Sequence, residues 1–269
     1  METRNKEEIR KAVRESYGKI ARTENSVLGL KSEACGCSSP NSSIDQMSAA
    51  IGYSKEDINS VPEGANLGLG CGNPVALASL RPGETVVDLG SGGGFDCFLA
   101  AREVGETGKV IGVDMTPDMV SKARKNAEKA GIHSVEFRLG EIEHLPLADN
   151  SADIIMSNCV INLSPDKAIV YKDAYRVLKP GGRIAVSDIV ATAELPDEIK
   201  KNLELVSACV GGAATIDDNV DMLKQCGFQD IKITTEDEGR ELLSEWAPGS
   251  NAGDYVVSAY IEAVKPISH

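Results

Sequence analysis

The chain has 269 residues, 42% of them hydrophobic, which is enough to bury a sizeable core in one or two domains. Acidic residues outnumber basic ones, 41 against 28, for a net charge of −13. That field repels phosphate backbones and sets nucleic acid aside as a partner. No apolar run approaches the roughly 18 residues of a spanning helix, and the charged opening METRNKEEIRKAVRE lacks the apolar centre of a secretory signal. A cytoplasmic protein without a membrane partner is expected.

The first predicted element is a helix, because Ile9, Val13, Tyr17 and Ile20 recur every three or four residues. The polar, small-residue stretch SEACGCSSPNSS reads as a loop. A short helix is expected at SKEDINSV with Ser54 as its N-cap. The glycine-rich GANLGLGCGNP follows, and Asn73-Pro74 offers a cap and a first-turn proline for another helix.

From Glu84 onward, strands and helices alternate. TVVDLG, KVIGVD, SVEFRLG, ADIIMSNCV and GRIAVSDIV read as strands. Phe95 to Val104, Pro117 to Ala130 and DKAIVYKDAYRVLK read as helices, the second stopped by Gly131. Lys122, Arg124, Lys125 and Lys129 are interrupted by other residues and read as its solvated face. This alternation predicts a parallel sheet covered on both sides. After about Thr192, EIKKNLELVSACVGG reads as a helix and NVDMLKQCGF as a helix ended by Gly227. DIKITTE is a predicted strand, and YVVSAYIEAVK alternates weakly enough to add a last one.

The strongest local motif is VVDLGSGGGFD, Val86 to Asp96, with Gly90, Gly92 and Gly94 between a strand and a helix. Glycine lets the chain turn tightly against a ligand. A dinucleotide fingerprint would place its third glycine where Phe95 stands, which argues against NAD or FAD. Asp114 ends the next strand, where a carboxylate can accept ribose hydroxyls. Glu141-Ile142-Glu143 follows the third strand, with Ile142 placed to pack on an adenine and Glu141 to bond its polar edge. Ser157-Asn158-Cys159 ends the fourth. All four points fall after strand C-termini, where open α/β sheets bind ligands. Asp88, Gly90, Gly92, Asp114, Met115, Glu141, Ile142 and Asn158 are the expected cofactor residues.

With LKPGGRI before the fifth strand, the stretch from Leu80 to Val190 resembles the class I S-adenosylmethionine methyltransferases. The resemblance implies a Rossmann-like sheet of seven strands, one antiparallel near its edge. An N-terminal helical arm over residues 1–79, a cofactor domain over 80–192 and a small C-terminal α+β region over 193–269 are expected. Methyltransferases of exocyclic base nitrogens carry Asn-Pro-Pro-Tyr where this chain has Asn158-Cys159-Val160-Ile161. None of the three histidines, His133, His144 and His269, falls beside the expected acceptor site as a general base.

Cysteine gathers there instead. The seven cysteines are odd in number and scattered, so a reduced chain is expected rather than a disulfide framework. Cys97 and Cys226 lie in predicted amphipathic helices and read as packing residues. The chain has no C-x-x-C pair and no histidines at ligand spacing, so a structural zinc site is not expected. Cys71 opens a helix, Cys159 ends the fourth strand, and Cys209 sits beside two glycines in SACVGGA. Thiolates select soft ions, and As(III) carries a lone pair that is itself a nucleophile.

The segments GLGCGNP, SNCVINL and ACVGGA, with the ending EWAPGSNAGDYVVSAYIEAVKP, resemble the arsenite methyltransferase family over nearly the whole chain. The resemblance implies that Cys159 and Cys209 hold As(III), with Cys71 as a third ligand or a redox partner. It also implies an N-terminal cysteine, Cys35 or Cys37, able to pair with Cys71. The substrate would be arsenite or its thiol conjugate, with S-adenosylmethionine as methyl donor and an external thiol reductant of the glutathione or thioredoxin type. Two other readings are a methyltransferase acting on carbon or oxygen of a quinone, sterol or similar metabolite, and a non-enzymatic arsenite-binding protein.

Overall fold

A computed structural model describes residues 6–22, 44–236 and 251–267. Helix α1 spans Lys6–Arg22, and the expected periodic residues are its inner face, with Val13 and Ile20 buried. Three short helices follow: α2 (Ile44–Ala50), α3 (Lys55–Ser60) and α4 (Pro74–Ala78). Ser54 caps α3 through a reciprocal bond with Asp57. Asn73 caps α4 by accepting from the Ala76 N–H at 3.0 Å, with Pro74 in the first turn.

The alternating region forms β1 (Thr85–Leu89), α5 (Phe95–Val104), β2 (Lys109–Asp114), α6 (Pro117–Ala130), β3 (Val135–Leu139) and β4 (Ala152–Asn158). It continues with α7 (Lys167–Val177) and β5 (Leu178–Ala191). The C-terminal part holds α8 (Asp197–Lys200), α9 (Leu203–Ser207), α10 (Ile216–Cys226), β6 (Gln229–Glu236) and β7 (Val256–Val264). The seven strands run in the order β3-β2-β1-β4-β5-β7-β6. β1 to β5 are parallel, and β7 pairs antiparallel with both β5 and β6. The seven-stranded Rossmann-like sheet is therefore present, and its last two strands come from the C-terminal region.

Both faces of the central strands are buried. Val86, Ile154 and Met156 pack with Cys97, Phe98 and Val120 on one side. Val87, Ile155 and Ile184 pack with Val170, Tyr171 and Leu223 on the other. Each such side chain contributes about 1.5–3 kcal/mol of burial, which is why these strands read as near-continuous apolar runs. The order reverses between β1 and β4, and the crevice beyond their C-terminal ends is where such sheets take ligands.

One element differs from expectation. The single helix expected across EIKKNLELVSACVGG is two short ones, α8 and α9. The side chain of Asn202 starts α9 afresh by accepting from the Glu204 and Leu205 N–H groups. Cys97 and Cys226 both pack as expected, Cys97 fully buried and Cys226 half-buried against the core at the end of α10.

Candidate functional site: a nucleoside-type pocket ending on cysteines

A pocket opens at the switch point between β1 and β4. Of the expected cofactor residues, Asp88, Gly90, Gly92, Asp114, Met115, Ile142 and Asn158 line it. Gly90 and Gly92 hold φ of +71° and +51°, in the left-handed region, and a Cβ on Gly90 would lie 2.4 Å from Val160. The Asp114 carboxylate accepts from the backbone N–H of Gly92 at 3.0 Å and of Thr116 at 2.8 Å, which fixes it at the pocket wall.

Glu141 is not part of the lining. Its carboxylate lies 3.5 Å from Arg10 and 3.4 Å from Arg14 of α1. Glu143 faces the pocket in its stead, buried, accepting from Ser164 Oγ at 2.7 Å and from Arg10 at 3.2 Å. Helix α1 thus closes one side of the pocket with Arg10, Val13 and Tyr17. The sequence reading missed this wall because its signal was an amphipathic periodicity with no chemistry attached.

Two buried polar atoms among the described residues make neither a hydrogen bond nor an ion pair, Asn66 Nδ2 and Ser91 Oγ; Arg10 Nε makes no hydrogen bond but faces Glu141 at 3.5 Å. All three residues line this pocket. Buried donors without partners are costly and rare, so the lining fits a ligand rich in polar groups, as a nucleoside bearing an amino acid is.

The pocket wall is also rich in carboxyl groups. Asp88, Asp96 and Asp114 line it, and burial pushes each carboxyl above its usual range. Asp96 is raised to about 6 by burial, with bonds from Tyr53 and Asn158 pulling the other way. Tyr53 Oη donates to Asp96 at 2.5 Å. Asn158 Nδ2 lies within hydrogen-bonding distance of Tyr53 Oη and the Gly72 carbonyl, both 2.9 Å, and of Asp96 at 3.2 Å. Asn158 Oδ1 accepts from the Cys71 N–H at 3.0 Å. The amide of Asn158 therefore brackets the cysteine loop to the end of β4.

The three singled-out cysteines meet in one cluster at the pocket's inner end. Cys159 and Cys209 line the pocket, and Cys71 lies behind Cys159. Cys159 and Cys209 both adopt left-handed backbone, with φ of +55° and +64°. Non-glycine residues hold such conformations only where their surroundings impose them. Cys159 N–H donates to the Ser187 carbonyl at 2.8 Å, and Cys209 Sγ donates to the Cys159 carbonyl at 2.6 Å.

Cys71 and Cys159 form a disulfide, their Cα atoms 5.8 Å apart. This corrects the expectation of a fully reduced chain: convergence through the fold, which residue spacing does not show, places the two sulfurs together. Cys71 is paired with Cys159 here; Cys35 and Cys37 lie outside the described residues. His133 and His144 are exposed, away from the pocket lining. Beside the disulfide stands Asp188, which the sequence reading passed over. It is buried, and burial raises it to about 6 against bonds from the Ile189 and Asn162 N–H groups. Its one sequence signal was an acid inside the predicted strand GRIAVSDIV.

Residues 80–243 match a family model described as a methyltransferase domain. An arsenite methyltransferase of Halobacterium salinarum is 51% identical over 266 residues, covering 98% of this chain and 68% of that protein. The arsenite methyltransferase of Mus musculus is 35% identical, covering 89% of this chain and 64% of its own length. The crystal structure of an arsenic (III) S-adenosylmethionine methyltransferase from Chlamydomonas reinhardtii superposes with a TM-score of 0.61 at 33% identity. That match covers 82% of this chain and 73% of the algal one. This chain therefore spans about two thirds of the length of the curated relatives it matches.

Proposed function

We propose that this chain, which belongs to the arsenite methyltransferase family, transfers the methyl group of S-adenosylmethionine to As(III) held by Cys159 and Cys209. Cys71 serves as the third ligand or as the redox partner. The observation that supports this most is the placement of Cys159 and Cys209 in the wall of the same pocket as the glycine loop and Asp114.

S-adenosylmethionine, when bound, supplies a methyl group already activated on a sulfonium sulfur. The chain's own part is to hold the acceptor in line with it, and most of the acceleration then comes from orientation. Asp88, Gly90, Gly92, Asp114, Met115 and Ile142 are the residues proposed to hold the cofactor, with Asn66 and Ser91 offering polar atoms that no residue engages. Glu143 replaces Glu141 in that set, because Glu143 lines the pocket and Glu141 does not.

The acceptor would be the As(III) lone pair; the methyl–sulfonium bond would break with its electron pair left on sulfur as a neutral thioether, so no proton would have to be removed from the acceptor. That accords with a site whose wall contains thiols and carboxylates but, among the described residues, no histidine. Arsenic gives up two electrons formally in forming the new bond. Two thiols can return them by closing a disulfide, and Cys71 and Cys159 are close enough to do so. An external thiol reductant then reopens the pair: two R–SH groups deliver two electrons and two protons and leave as R–S–S–R. A reducing, cytoplasmic setting is the one we propose for such a cycle.

The test is methyl transfer from isotopically labelled S-adenosylmethionine to arsenite under excess thiol, read by mass spectrometry of the arsenic products. Labelled methylarsenicals are expected from the wild type. Cys159→Ser and Cys209→Ser should each lose them while binding the cofactor with unchanged affinity. A variant that methylates at the wild-type rate removes that residue from the ligand set.

A further inference from the structure

Asp188 has no part in the reaction described above. It is 2% exposed, and its carboxylate accepts from Asn162 Nδ2 and from the Ile189 N–H, both at 2.8 Å. Among the described residues no Lys or Arg forms an ion pair with it. Lys167 acts on it electrostatically but donates to the Ser164 carbonyl, at 3.1 Å. A buried carboxylate without a paired cation is costly. One carboxylate oxygen of Asp188 and the sulfurs of Cys71 and Cys159 all lie within 4.8 Å of one another.

Two sulfurs and one hard oxygen make a poor donor set for As(III), which takes sulfur. They suit zinc, a borderline ion that accepts cysteine sulfur and carboxylate oxygen in a tetrahedron and can leave its fourth position to water. We infer that the reduced Cys71–Cys159 pair and Asp188 form a binding site for Zn2+.

The surroundings are built for this. Asn158 Oδ1 accepts from the Cys71 N–H, Ser258 Oγ donates to the Cys71 carbonyl at 2.7 Å, and Cys159 N–H donates to Ser187. The two Cα atoms stand 5.8 Å apart across the disulfide, and with that spacing kept on reduction both sulfurs can reach one ion at zinc–sulfur distances of about 2.3 Å. Asn162 orients the carboxylate, as outer partners of metal ligands do. The pocket reaches Cys159, one of the three ligands.

Loading begins with reduction of the disulfide. Two thiols, or one phosphine and water, supply two electrons and two protons, leaving a new disulfide or a phosphine oxide. Zn2+ then displaces one proton from each cysteine. Because Cys159 belongs to both donor sets, zinc and arsenite exclude each other; that consequence alone rests on the arsenic reading.

The test uses the full chain reduced with a phosphine, without arsenic or S-adenosylmethionine. Zn2+ alone is titrated in competition with a chromogenic chelator. About one equivalent should be retained by the wild type and by Cys209→Ser, and lost by Cys71→Ser and Asp188→Asn. The zinc-edge absorption spectrum of the wild type, which needs no variant, should show two sulfurs at about 2.3 Å and lighter atoms near about 2.0 Å. No retained zinc, a three-sulfur shell, zinc held equally by Asp188→Asn, or zinc lost in Cys209→Ser would each overturn the site. With no arsenic present, none of these results bears on arsenite methylation, and a failure to methylate arsenite leaves them standing.

Discussion

Three carboxylates, Asp88, Asp96 and Asp114, stand in the wall of a pocket proposed to take a sulfonium. Burial disfavours their charged forms, and a bound cation offsets that cost. The sign of the pH dependence follows. Each folded-state pKa lies above its ordinary value, Asp96 near about 6, so acid removes these negative charges earlier than it would in water. Affinity for S-adenosylmethionine should therefore fall as pH drops from about 8 to about 5. Affinity for the demethylated product, whose sulfur is neutral, should fall less. Calorimetric titration of both ligands measures this, and equal losses would contradict it. The sequence revealed Asp88 and Asp114 because each belongs to a local motif. It hid Asp188 and Asn66, whose chemistry arises only from neighbours brought by the fold. The same holds for a mixed sulfur–oxygen site whose two cysteines are 88 residues apart: no spacing rule reaches across that distance.

Element ends were legible because their chemistry is local. Ser54, Asn73-Pro74, Gly131 and Gly227 cap helices where their residue types predict. How the cysteine loop docks on the sheet was not legible. Cys71 N–H bonds a side chain 87 residues away, and a Cβ on Gly72 would lie 2.2 Å from Ser187 Oγ. Gly72 is therefore the point where the loop seats against β5. Gly72→Ala should push the loop outward, with a cost of about 1–3 kcal/mol typical of overpacking. Urea denaturation reads that cost, and thiol labelling after reduction reads slower re-closure of the Cys71–Cys159 disulfide. Wild-type stability with wild-type closure would show that the contact does not seat the loop.

At the scale of the molecule, the reversal of strand order between β1 and β4 gathers the site. The glycine loop leaves β1, Cys159 leaves β4, and Asp188 lies on β5. The turn after α9 carries Cys209, and α1 spans the open side. Alternating strands and helices foretold the sheet, since apolar runs and a 3.6-residue period are written in the chain itself. The closure by α1 through Arg10 and Glu143 was not foretold, because it pairs two elements that share no motif. The central claim is that the chain's own sulfurs hold arsenic at this mouth. Arsenic-edge X-ray absorption tests it most directly, on protein reduced with a phosphine so that every sulfur seen belongs to the chain. A sulfur shell is predicted for the wild type, with one sulfur replaced by oxygen in Cys209→Ala. An oxygen shell in the wild type, or an unchanged spectrum in the variant, would contradict it.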